Sequence, residues 1–84
     1  MFVIEDELHA EEFGRYESRD EAMDALRVLA ASPWDREPNM APCSGWARCG
    51  RDYELVEYDA SSVTQQELSR RTVLTVSAQG ARWL

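Results

Sequence analysis

Between Pro33 and Gly50 the chain reads PWDREPNMAPCSGWARCG, and no other stretch limits the fold so much. It holds all three prolines, both cysteines, two of the three tryptophans and two of the four glycines. Prolines at 33, 38 and 42 lack an amide to donate and fix φ, so neither a regular helix nor a central strand runs through it. Its Trp, Met and Cys side chains are too apolar for a solvated linker. The segment is expected to be a long ordered loop at 33–50 that folds back over the domain. Ordered loops are where small domains tend to carry function.

The flanking sequence supplies the body. Phe2-Val3-Ile4 is aromatic and β-branched and reads as a first strand, and Phe13-Gly14-Arg15-Tyr16-Glu17 reads as a second, joined to it through His9 and Ala10. Ser18-Arg19-Asp20-Glu21 then matches a capping box, in which the serine hydroxyl accepts from the third helical amide. Ala22, Leu26 and Leu29 follow at i, i+4 and i+7, predicting a helix over about 19–32 that Pro33 terminates. Beyond the loop, residues 52–58 have strand composition with apolar residues on both faces, Tyr53 and Leu55 against Val56 and Tyr58. Residues 71–78 alternate as another strand, and Thr64 to Leu68 suggests one turn of helix between the two. Gly80 breaks the last strand, leaving Trp83 to dock on the body.

The order β-β-α-loop-β-β implies a single α+β domain over 1–84. One helix packs on a three- or four-stranded, mainly antiparallel sheet in a two-layer sandwich. The run Phe13 to Ser18 followed by Glu21-Ala22 resembles the strand-to-helix junction of many small α+β modules, which supports the topology and implies no activity.

Charge narrows the function classes. Residues 1–24 carry nine acids and two arginines, whereas residues 25–84 carry seven of each, so the whole net charge of −7 sits in the first 24 residues. An acidic surface repels phosphate backbones, which argues against nucleic-acid binding. No apolar run reaches the length of a membrane span, and Glu5, Asp6 and Glu7 stand where a signal peptide would be basic or apolar. The expectation is a cytoplasmic protein away from membranes, with its two cysteines as free thiols.

Catalytic and metal chemistry find little support in the residue pattern. Cys43 and Cys49 are spaced more widely than zinc-finger pairs, and His9 is the one imidazole, so a complete site would need His9 with a carboxylate or a second subunit. A cysteine nucleophile would need that same His9 as base. The four glycines are scattered and form no phosphate-binding loop. No catalytic residue, resident metal or cofactor is implied.

Recognition of another protein fits the loop best. Trp and Arg dominate interface hot spots, and Trp34, Arg36, Trp46, Arg48 and Arg51 cluster here with Met40. Trp34 directly follows the helix and reads as part of a lid over a thin core. Trp46, Arg48, Arg51 and Arg36 read as contacts to an unknown protein partner or to a second copy of the chain. Two alternatives stand beside this. The carboxylates of residues 5–24 could make the protein an acidic inhibitor or nucleic-acid mimic that covers a basic partner. Cys43 and Cys49 could instead make it a small metal- or thiol-dependent protein.

Overall fold

The computed structural model describes residues 1–41, 50–59, 61 and 66–84. In chain order the elements are β1 (Phe2–Asp6), β2 (Glu11–Tyr16), α1 (Arg19–Ala31), β3 (Arg51–Tyr58), β4 (Glu67–Ser77) and β5 (Gly80–Trp83). The strands form one sheet in the order β2-β1-β3-β4-β5, with every neighbouring pair antiparallel. This is the expected two-layer α+β architecture with five strands in place of three or four. The additional strand is β5. Gly80 does not end the sheet but turns it: at φ 105° it closes a tight hairpin around Ala78-Gln79, a backbone geometry that favours glycine. β4 also begins at Glu67, so Glu67 and Leu68 extend a strand where a helical turn was expected, while residues 62–65 of that expectation lie outside the described residues.

Pleating decides which side chains face the helix. Phe2, Ile4 and Asp6 on β1 stand opposite Glu57, Leu55 and Tyr53 on β3, and Tyr53 stands opposite Leu74 on β4, so these positions share one face. Ile4, Leu26, Tyr53 and Leu74 have no exposed surface and form the centre of the core with Ala22, Leu29, Leu55, Val73 and Val76. On the opposite face Val3 pairs with Val56, and both are buried as well. Their row continues into Arg15 on β2 and Arg70 on β4, long side chains whose methylene stems can cover apolar neighbours.

Two bulges bracket one row of the sheet. Phe13 is the extra residue of β2 opposite Ile4 and Glu5, and Val73 is the extra residue of β4 opposite Tyr53 and Glu54, with Glu5 and Glu54 themselves paired across β1 and β3. Each bulge changes the alternation, so that Phe13 and Gly14, and likewise Val73 and Leu74, lie in succession toward the helix. A strict period of two would send one of each pair to solvent.

Helix α1 starts as the sequence predicts. The Ser18 hydroxyl accepts from the Glu21 amide at 3.1 Å, a cap that contributes about 1 kcal/mol. Its far end has no basic residue, and its carbonyls are satisfied from elsewhere. The Ser32 amide donates to Leu29 O and the Ser32 hydroxyl to Val28 O. A third donor reaches back from the loop.

Candidate functional site

That donor is Asn39, buried to 1% exposure. Its Nδ2 donates to Leu29 O at 2.9 Å, Ser32 O at 3.0 Å and Pro33 O at 3.3 Å. Its Oδ1 accepts from the Tyr53 hydroxyl at 2.7 Å. One amide side chain therefore ties the end of α1, the first half of the loop and the central strand β3. Burial pushes the Tyr53 phenol well above its ordinary value. Nearby Arg51 opposes that rise, while Asp6 and Glu11 add to it, so Tyr53 remains a neutral donor.

Arg51, at the start of β3, completes the anchor. It is 4% exposed, and its Nε donates to Asn39 O at 2.9 Å while Nη2 donates to Met40 O at 2.8 Å. Nη1 bridges Asp6 at 2.9 Å and Glu11 at 3.0 Å, and the guanidinium lies 4.9 Å from the centre of the Phe13 ring. Burial disfavours its charge, but the Asp6 hydrogen bond and the charges of Glu11 and Asp6 outweigh it, and the group is held protonated above its ordinary range. Asp6 is fully buried and saturated: it accepts from the Leu8 amide, the Asp52 amide, Arg51 and His9 Nδ1 at 2.6 Å.

Above this anchor the loop surface opens into a depression of about 450 Å³, lined by Phe13, Pro38, Met40 and Ala41 with Glu11 and Glu37 beside Arg51. Met40 is 43% exposed, Arg36 is exposed, and Trp34 packs half-buried against the core. Trp34 thus acts as the lid its position suggested.

The residues singled out in the sequence separate into four groups. Arg36 lies on the loop surface. Arg51, expected as a partner contact, is an interior strut whose donors are spent within the domain. His9, a weak metal candidate, is hydrogen-bonded to Asp6, and among the described residues no three His, Cys, Asp or Glu side chains converge to hold an ion. Trp46, Arg48, Cys43 and Cys49 lie outside the described residues.

Comparison with protein-family models, curated proteins and solved structures finds no match. The site therefore stands on its own geometry. Sequence reasoning missed Asn39, Asp6 and Tyr53 as its framework. One signal was present: Arg51 alternates with Tyr53 and Leu55, and Asp6 with Ile4 and Phe2, which places both charges on the core-facing side.

The acids of residues 5–24 are dispersed. Asp6 is interior, Glu5 pairs with Arg70, Glu12 with Arg15, Glu11 with Arg51 and Asp24 with Arg27. On the open sheet face Arg70 joins Glu5 of β1, Glu54 of β3 and Glu67 of β4, and its hydrogen bonds to Glu67 and Glu54 raise its proton affinity further.

Proposed function

We propose that the protein is a non-catalytic, intracellular protein-protein interaction module whose loop 33–50 is the contact surface. The observation that carries this reading is the anchoring of residues 33–41 from within. Asn39 and Arg51 hold the loop backbone through buried hydrogen bonds, while Met40 stays exposed at an open depression and Arg36 is exposed on the same segment. A surface fixed before binding loses less conformational entropy when a partner arrives. Glu37 borders the apolar lining while Glu11 is held by Arg51, which leaves the Glu37 carboxylate for a partner side chain with an aliphatic stem and a cationic end. Trp46 and Arg48, which lie outside the described residues, are proposed as further contacts.

The test is affinity purification with the wild-type chain, Arg36→Ala/Met40→Ala and Trp46→Ala/Arg48→Ala, with circular dichroism recorded for each. Loss of the partner by a variant of unchanged fold supports the reading. Undiminished binding by both double variants overturns it.

The acidic-mimic alternative predicts binding that survives those substitutions and weakens steeply with salt. Local pairing of Glu5, Asp6, Glu11, Glu12 and Asp24 with arginines argues against it. The thiol or metal alternative is decided by elemental analysis and a Cys43→Ser/Cys49→Ser variant.

A further inference from the structure

A second surface lies along β4, away from the loop. β4 runs from Glu67 to Ser77, but β5 pairs only with Leu74 to Ser77, and the Leu84 amide adds one bond to Val73 O. From Glu67 to Thr72 the outer edge of β4 therefore meets no strand among the described residues. Outward N–H and C=O groups of such an edge form a template for one more strand.

The same edge borders a pocket of about 180 Å³ on the helix side, lined by Phe2, Leu55 and Val73 with Arg19, Ser69 and Arg71. Its apolar part is large enough for one aliphatic side chain. Arg70 and Arg71, adjacent on β4, point to opposite faces and have opposite fates. Arg70 is consumed by three carboxylates, whereas Arg71 and Arg19 make no side-chain hydrogen bond or ion pair within the described residues. In a chain of net charge −7, two uncompensated guanidinium groups beside one small apolar pocket mark a local preference for an anion.

We infer that this edge accepts an extended peptide segment of a partner protein, carrying an aliphatic residue and an acidic residue two positions apart. Such a segment adds a sixth strand on β4. Residues i and i+2 of a strand face the same side, so the aliphatic side chain enters the Phe2-Leu55-Val73 pocket while the carboxylate meets Arg19 and Arg71. Main-chain bonds to residues 67–72 supply affinity independent of sequence, and the pocket and arginines select the segment.

The test is a titration followed by amide NMR, using the peptide acetyl-Thr-Leu-Thr-Glu-Thr-Thr-amide and its reversed order, so that both strand directions are sampled. Shifts are expected at amides of residues 67–72. Replacing the peptide Glu by Gln should weaken binding about tenfold, as loss of charge-assisted bonds to both arginines implies. Arg19→Gln/Arg71→Gln should abolish the discrimination between the two peptides, and Arg36→Ala/Met40→Ala should leave it intact. Absence of shifts at residues 67–72 with either peptide at about 2 mM, weaker than any useful docking affinity, overturns the inference. So does equal binding of Glu and Gln peptides, or a concentration-dependent dimer that protects these amides, which would assign the edge to a second copy.

Discussion

Replacing Arg51 by Met separates an interior strut from a contact residue. The substitution keeps an unbranched apolar side chain beside Phe13 but removes the charge that faces fully buried Asp6, with Glu11 losing its partner at the rim. Removing one member of a buried ion pair costs about 3–5 kcal/mol, mostly because the remaining charge is stranded. Loss of the cation over the Phe13 ring adds about 0.5–1 kcal/mol, and the carbonyls of Asn39 and Met40 lose their donors. Asp6 keeps the Leu8 and Asp52 amides and His9, which holds the total toward the middle of that range, at about 4 kcal/mol. For a domain of this size that corresponds to a fall in melting temperature of about 20 °C. Urea unfolding followed by tryptophan fluorescence and circular dichroism measures it. The decisive arm is a double-mutant cycle with Asp6→Asn. Neutralising Asp6 in the Arg51→Met background should recover about 2 kcal/mol, because the stranded charge is then gone while Asn still accepts from both backbone amides. A loss below about 1 kcal/mol for Arg51→Met, or strictly additive effects in the cycle, would refute the reasoning. Any loss of partner binding by an Arg51 variant would then report the loop's support.

The Tyr53 hydroxyl titrates well above its unfolded value, so the folded state retains a proton that the unfolded chain releases. Its contribution is complete below about pH 10 and falls as pH rises further, by up to about 1.4 kcal/mol per pH unit. Tyr53→Phe should flatten the alkaline limb of a stability-pH profile, at the cost of one hydrogen bond to Asn39. Asn39→Ala should destabilise by about 3–4 kcal/mol in urea unfolding, since it strips the loop and helix carbonyls of a buried donor and Tyr53 of its acceptor. Asn39→Asp should be at least as harmful, because it turns a carboxylate toward those carbonyls. Gly50→Ala places a Cβ about 2.5 Å from the Val76 carbonyl oxygen and should cost about 2–3 kcal/mol, whereas Gly80→Ala meets open space and should lose only about 1 kcal/mol to its positive φ.

The helix and its cap were legible because Ser18 and Glu21 interact locally and Ala22, Leu26 and Leu29 repeat at helical spacing. β5 was hidden by Gly80, whose turning role depends on the pairing of Ser77 with Gly80, a contact that composition does not encode. Arg51 misled for a related reason: an arginine next to a Trp-rich loop has the composition of an interface, and only its register on β3 turns it inward. Asn39 gave no signal. Its importance comes from Leu29, Ser32, Pro33 and Tyr53 being brought together by tertiary structure. The open edge at residues 67–72 was likewise invisible, since it arises from the mismatch between long β4 and short β5.

The two bulges that bracket the Glu5-Glu54 row also bear on how one helix covers five strands. Five strands at about 4.8 Å spacing span about 19 Å between the outermost axes, nearly twice the width of one α-helix at about 10 Å. A helix lying along the strands would miss the outer ones, but 13 residues make α1 about 20 Å long, comparable to the full width of the sheet. The helix touches β2 and β5, the two edge strands, as well as β1 and β4. A bulge on each side of the central pair adds local bend and twist to the margins. Length and local bend thereby do what a second helix does in larger sandwiches, and 13 helical residues reach both edges of the sheet.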